Sequence, residues 1–288
     1  GKMLDAVFFK GYQWPFDPLK VADYGSSLID ILVYYETVVK GRRAFLDFRR
    51  NPSWGSSSGE LDFSLLGEEA YTYLKNSQAL FGRPIDRLAH MNQPAIDLYC
   101  DNGIDLSQEM LEIAVCAQHN NGGLEGNIWW ESNLQHFFPV GEVNGTHGVY
   151  RPGGSALNSG QVGSTRAAQY IAARYREEPM ARSQFLAEAK PQIMAKMELG
   201  RKFLAKLGDR SNVSEIRSQI QDRMTRSGAH IRSLEQAKTA AEAALTQLRS
   251  LVEDTRIGSP YELRLCFQNY DSLLSQYVYL SAIKDYIE

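Results

Sequence analysis

The residues best placed to do chemistry lie between Pro139 and Ala173, a stretch that reads PVGEVNGTHGVYRPGGSALNSGQVGSTRAAQYIAA. A loop rich in Gly, Asn and His runs through Arg151 to the paired glycines Gly153-Gly154, and a helical pattern begins at about Ser155. Glycines admit close approach of a ligand to the backbone, and the first N–H groups of a helix have no acceptor within it. A Gly-rich loop that opens a helix is therefore a site for an anion or an electron-rich ring. An ordinary strand–turn–helix connection has the same spacing, and both readings stand at this level.

The elements that would position this loop are a strand before it and a helix after it. Phe137, Phe138, Pro139 and Val140 form a short apolar run that predicts a buried strand ending at Gly141-Glu142. Ala156, Leu157, Val162, Ala167 and Ile171 fall near one face of the helix from Ser155.

The wider composition narrows the function classes. A chain of 288 residues holds one large domain or two small ones with ample core. Its 43% hydrophobic and 23% charged content is that of a globular protein. The net charge of −3, with no Lys/Arg cluster interleaved with aromatics, argues against nucleic acid as a partner. No apolar run is long enough to span a bilayer as a helix. Cys100, Cys116 and Cys266 are widely spaced and odd in number, which gives neither metal-ligand spacing nor a disulfide framework; a reducing cytoplasmic setting is the expectation.

Taken in order, the chain opens with a possible helical turn and then the aromatic segment FFKGYQWPFDP, where Pro15 and Pro18 are expected to forbid regular structure. Ser26 or Ser27 caps a helix to about Val39, with Leu28, Leu32, Tyr35 and Val39 on one face and Gly41 beyond its end. Ala44 to Phe48 reads as a short strand, and Asn51 to Gly59 as a mobile Ser/Gly-rich loop. Helices are expected near 66–80 and 107–112, and strands over Ala114–Gly123 and Gly126–Trp130, with a hairpin over Glu125–Asn133, which carries turn residues and the pair Trp129-Trp130. After Glu178 the pattern becomes helical throughout: Phe185–Leu207, Val213–Thr225, Leu234–Val252 and Tyr261–Ile287. The third carries a stripe of Leu234, Ala237, Ala241, Leu245, Leu248 and Val252, and the last one of Leu263, Phe267, Tyr270, Leu274, Tyr277 and Leu280. Gly258-Ser259-Pro260 separates them, and the four make a small bundle in a scaffold role.

Four ordered segments resemble one family, the flavoprotein subunit of succinate dehydrogenase and fumarate reductase, to which L-aspartate oxidase also belongs. Gly141-Glu142, His147-Gly148-Val149-Tyr150-Arg151 and Pro152 to Leu157 resemble its Gly-Glu, His-Gly-x-x-Arg and x-Gly-x-x-x-Leu motifs. AQHNNGGL from Ala117 to Leu124, Val33 to Arg49 with FLDFR, and Ser227 to Arg232 between two helices are similar to three further family segments. The resemblance implies an α+β fold in four parts: the exit of an FAD domain in 1–24, a capping domain in 25–116, an FAD-binding return segment in 117–176 and a helical domain in 177–288.

It also implies roles. Glu142, following Gly141, would hold the ribose of FAD, and Gly153, Gly154, Ser155, Ala156 and Leu157 would lie against the isoalloxazine. Arg151 would clamp a substrate carboxylate through its planar guanidinium, with His147 nearby. The family's substrate histidine falls on Gln118 without a gap and on His119 with a one-residue slip. Its proton-donating arginine falls on Ser27, a hydroxyl that cannot act as that acid unaided, and its His-Pro-Thr segment has only GYQWPFDP as counterpart. The G-x-G-x-x-G dinucleotide fingerprint is absent from these residues, so the expectation is a fragment, without its N-terminal FAD domain, of an oxidoreductase acting on a small anionic substrate. A non-enzymatic module that kept the fold, or one polypeptide of a split enzyme, are the alternatives.

Overall fold

The computed structural model describes residues 2–13, 16–52, 59–116, 123–145 and 155–288. The chain divides into two compact units, Gly1–Cys116 and Ala117–Glu288. Among the described residues it is mostly helical with one small two-stranded sheet, in keeping with an α+β chain that ends in helices.

The first unit is built on α1 (Lys2–Tyr12), which continues well past a single turn, through FFKGY. Pro18 opens the next regular turn and does not prevent this helix; Pro15 lies outside the described residues. Its apolar side packs where Leu4, Phe8 and Phe9 meet Leu66, Ala70, Leu74 and Ala79 of the segment containing α3 (Glu68–Asn76). Asp5 Oδ1 accepts the Gly67 N–H at 2.7 Å, and Tyr12 stacks on Tyr73 with ring centroids 4.2 Å apart. Asp17 caps a short 3-10 turn, Pro18–Lys20.

Helix α2 (Ser27–Tyr34) continues into a π turn over Tyr35–Val39, and Gly41 comes next at φ +64°, a left-handed conformation that glycine adopts without strain. Its buried face runs through Ser27 and Tyr34, not through the expected Leu32, Tyr35 and Val39, which are exposed. Strand β1 (Ala44–Leu46) pairs antiparallel with β2 (Leu111–Ile113), Phe45 opposite Glu112. Residues 107–112 are therefore not a helix. Asp105 instead turns the chain by accepting the Ser107 N–H, and the Arg43 guanidinium grips the Glu112 carboxylate with bonds of 2.9 and 2.6 Å.

The 18-residue helix α4 (Pro84–Asp101) has no counterpart in the sequence reading. Pro84 opens it, the Arg83 N–H donates to Asp86 at 2.8 Å, and the chain kinks at Asn92 (φ −159°) just ahead of Pro94. Pro94 and the kink interrupt the periodicity that would have revealed it. The expected mobile loop coincides largely with 53–58, which lie outside the described residues.

The second unit carries four long helices close to their expected bounds: α6 (Arg182–Leu204), α7 (Val213–Ser227), α8 (Leu234–Asp254) and α9 (Leu263–Ile287). Every residue after 154 is described, and none of them forms a strand. Phe203, Val213, Ile216, Ile220, Leu251, Ile257, Cys266 and Leu273 make the main core. Ala237, Ala240 and Ala241 let α8 come close to α9 around Leu280 and Ile283. The two interhelical loops lock together, with Gly208 N–H donating to the Ile257 carbonyl at 2.9 Å and Asn212 Nδ2 to the Asp254 carbonyl at 2.9 Å.

The buried face of α9 is displaced from the expected one. It runs through Cys266, Asn269, Leu273, Gln276, Leu280 and Ile283, and leaves Leu274 exposed. Two of these residues are polar, and burying a primary amide is costly unless it finds a partner. Asn269 Nδ2 donates to the Val213 carbonyl at 2.9 Å and Gln276 Nε2 to the Ile220 carbonyl at 2.6 Å. Arg223 then donates to both Gln276 Oε1 and Gln247 Oε1, each at 2.7 Å, tying α7, α8 and α9 together.

Replacing Gln276 with leucine is expected to destabilise the chain by about 1–3 kcal/mol, because the part-buried Arg223 loses one of its two acceptors and the Ile220 carbonyl loses the Gln276 amide donor. Leu274→Gln, on the exposed side of the same helix, is expected to change stability by less than about 0.5 kcal/mol. Urea unfolding of the two variants followed by circular dichroism checks the pair. Equal effects would mean that the buried face of α9 is misassigned.

Candidate functional site

Around Glu142 the structure is a crossing of two backbone segments. Leu124 pairs in parallel with Asn144: Leu124 N–H donates to the Val143 carbonyl and Gly145 N–H to the Leu124 carbonyl, both at 2.8 Å. The segments approach so closely that a side chain at Gly123 or Gly145 would crowd the opposite backbone. A Cβ on Gly123 would collide with the Val143 carbonyl oxygen, and one on Gly145 would lie 3.1 Å from the Gly123 oxygen. Strands were expected over Ala114–Gly123 and Gly126–Trp130; this bridge is what the described part of that region forms, and Gly126–Trp130 is turn. Asn127 builds that turn, its Oδ1 accepting from Trp129 N–H at 2.8 Å and Glu131 N–H at 3.2 Å.

Phe137–Val140 is likewise not a buried strand. Phe137 is 46% and Val140 38% exposed, and neither joins a ladder. The backbone then makes a tight turn, Gly141–Asn144, closed by Asn144 N–H to the Gly141 carbonyl at 3.1 Å. Gly141 sits at φ +87°, which a residue with a side chain adopts only under strain. Glu142 and Val143 occupy the exposed tip of this turn.

The turn rests against α5 (Ser155–Arg174). A Cβ on Gly160 would stand 3.5 Å from Gly141 Cα, and one on Gly163 would overlap the Trp130 indole. Trp130 is buried at φ +65°. The helix therefore docks through a notch of small residues, Gly160, Gly163 and Ala167. The apolar face expected for it is mostly outside, with Leu157 77%, Val162 56% and Ile171 40% exposed. Small residues win here because a large ring fills the space their side chains would need.

Beside the notch, Trp129 stacks on Tyr170 at 5.7 Å, with the Arg166 guanidinium 5.3 Å from the indole centroid. Glu131 accepts from Tyr175 Oη at 2.7 Å and from His136 N–H at 3.1 Å. The Tyr175 hydrogen bond holds the Glu131 carboxyl below its usual range, and the same bond pushes Tyr175 up to about 12.

Of the residues singled out from sequence, Gly141, Glu142, Ser155, Ala156 and Leu157 are described. The Gly141–Asn144 turn meets α5 at Gly160, five residues and about 7.5 Å along the axis from Ser155. Ser155 Oγ, at its first residue, is buried and has no hydrogen-bond partner among the described residues. A buried hydroxyl of that kind at a helix start suits a polar, electron-rich ligand. His119, His147, Arg151, Gly153 and Gly154 lie outside the described residues.

Ser27 is buried, and its Oγ accepts the Asp17 N–H at 2.9 Å, so this hydroxyl is engaged in folding the 17–27 segment. Gly126, Asn144, Gly160 and Gly163 were missed by sequence reasoning. Their one signal was glycine spacing, which does not distinguish a helix notch from a turn. Among the described residues no group of His, Cys, Asp or Glu could hold a metal ion, and no helix is long and apolar enough to cross a membrane. All three cysteines are unbonded, and burial pushes the Cys266 thiol up to about 11.

No family model matches this chain. Over 157 residues it is 29% identical to a fumarate reductase (CoM/CoB) subunit from Methanothermobacter marburgensis. The match covers 54% of this chain and 26% of that protein, so the matched part of the chain spans about a quarter of its relative's length. The chain is thus distantly similar to a fumarate reductase subunit over about half of its own length.

Proposed function

We propose that this chain is part of an FAD-dependent oxidoreductase of the fumarate reductase and succinate dehydrogenase flavoprotein type. The observation that carries the reading is Ser155 Oγ at the start of α5, buried without a partner among the described residues, on a helix whose Gly160 rests against the Gly141–Asn144 turn that exposes Glu142. The similarity to a fumarate reductase subunit supports it. Bound at this site, the flavin would supply hydride chemistry toward a small anionic substrate.

The residues of the chain divide the remaining work. Glu142 accepts hydrogen bonds from ribose hydroxyls, a charge-assisted contact stronger than a neutral one. The N–H groups of Ser155, Ala156 and Leu157, with Gly153 and Gly154, bring backbone close to the ring, and the positive end of α5 favours negative charge there. Arg151 orients the substrate carboxylate by a bidentate fork, with His147 or His119 as the histidine that accompanies it. In this reading 25–116 is a capping domain, 117–176 the return segment and 177–288 a helical domain. The break after Cys116 supports the first of these boundaries. The pyrophosphate cradle, for which these 288 residues hold no G-x-G-x-x-G, comes from another domain or polypeptide.

A second reading, a binding module without redox chemistry, is favoured by one observation. Ser27 stands where the family's proton-donating arginine would be, and its hydroxyl is already an acceptor for Asp17.

FAD titration separates the two. The purified chain is expected to be colourless yet to quench flavin fluorescence saturably at high FAD. Glu142→Gln should weaken that binding tenfold or more, about 1.4 kcal/mol or above. Equal binding by the variant would reject the ribose role, and no saturable binding by the parent chain would favour the second reading. In a preparation that turns over, Arg151→Lys is expected to lower kcat/KM roughly a hundredfold, ~3 kcal/mol, with flavin content unchanged, because an ammonium cannot rebuild the planar fork. Normal turnover in that variant would remove Arg151 from the substrate site.

A further inference from the structure

The turn that carries Glu142 is anchored from below by a residue to which no role has so far been given. Asn144 is fully buried, while Val143 beside it is 51% exposed and Glu142 stands at the exposed tip. The backbone of Asn144 closes the turn onto Gly141, and its neighbours on either side, Val143 and Gly145, make the two hydrogen bonds to Leu124. Its side-chain amide is pressed against Gly126: a Cβ at that glycine would lie 2.6 Å from Asn144 Nδ2 and 3.4 Å from the Trp130 Cα. Gly126 is thus bare because the amide fills the space. On the other side, Gly160 of α5 abuts Gly141. The backbone of the tip is clamped between a helix and an enclosed amide.

A buried amide is an expensive way to fill a small space, since an apolar side chain of similar size would need no hydrogen-bonding partner. Its advantage is directional. Hydrogen-bonding groups fix one orientation where packing alone leaves several. We propose that Asn144 is a positioning residue for Glu142, with Gly126 as the recess that seats its amide, so that the carboxylate meets its ligand pre-oriented. The inference rests on the reading of Glu142 as the group that holds a ribose. It adds that the precision of this contact is set two residues further on, in a side chain that never reaches the ligand.

Two measurements on the full chain test it. The first is hydrogen exchange at the backbone amides of positions 124, 144 and 145. Asn144→Ala is expected to cost at least tenfold in protection there and to leave amides of α7, α8 and α9 unchanged. Gly126→Ala, which crowds the amide without removing it, should loosen the same amides in the parent chain and add little once Asn144 is alanine. Unchanged protection in Asn144→Ala, or fully additive effects of the two substitutions, would overturn the proposal. Should Asn144→Ala fail to fold, Asn144→Ser with Gly126→Ala carries the same comparison.

The second measurement is FAD affinity in the same variants. Asn144→Ala should weaken binding about as much as Glu142→Gln does, and the double variant should be no weaker than Glu142→Gln alone, because the amide acts only through the carboxylate. If Glu142→Gln leaves FAD binding untouched while the exchange pattern is as expected, the ribose reading fails and the positioning role stands. If Glu142→Gln weakens binding while Asn144→Ala moves neither exchange nor affinity, the positioning role fails and the ribose reading stands.

Discussion

Two stretches of backbone cross at Leu124 and Asn144 so closely that a side chain on the flanking Gly123 or Gly145 would crowd the opposite backbone. A crossing so close is tolerable only because each stretch satisfies the other's polar groups and because glycine stands at those two flanking positions. From that one pairing come the placement of the Gly141–Asn144 turn, the exposure of Glu142 and the position of α5, whose Gly160 and Gly163 meet Gly141 and Trp130. The candidate site has little regular structure of its own. Its order comes from close backbone contacts and one bulky indole rather than from a sheet.

The C-terminal helices solve a different problem. Asn269 and Gln276 are seven residues apart on α9, and the carbonyls they capture, Val213 and Ile220, are seven apart on α7. Seven residues is nearly two turns of helix, so one relative alignment satisfies both amides at once, and a slip by a single turn leaves both buried without partners. Apolar packing around Phe203, Leu251 and Leu273 supplies the bulk of the core, but it would tolerate several alignments. The amides choose among them. The alanine stripe of α8 then permits the close approach to α9 that excludes water from this polar seam.

How much of this was legible in the sequence depends on which force shaped each part. The four C-terminal helices were readable to within a few residues, because long amphipathic periodicity and the Gly258-Ser259-Pro260 stop are local signals. The face of α9 was not, since Asn269 and Gln276 look like solvent residues until their acceptors are known. Helix α4 was hidden by Pro94 and the kink at Asn92, and the strand at Leu111–Ile113 depends on a partner more than sixty residues away. At the site, sequence located the helix starting at Ser155 and the Gly-Glu pair. It supplied a strand where there is a turn, because Phe137 to Val140 is apolar enough for one yet stays largely exposed. The notch on α5 inverted the usual rule that large apolar residues mark the buried face. The residues on which catalysis would depend, His119, His147 and Arg151, rest on resemblance.

The cysteines give the chain a set of internal reporters. Cys100 and Cys116 are exposed in the first unit, while Cys266 is enclosed in the core of the second with its thiol pushed well above neutrality. Only a thiolate reacts readily with an alkylating reagent, so the buried sulfur can be modified only when the helices around it part. The rate at which Cys266 takes up such a reagent is therefore a clock for the opening of the helical core, and the two exposed thiols mark the first unit from the outset.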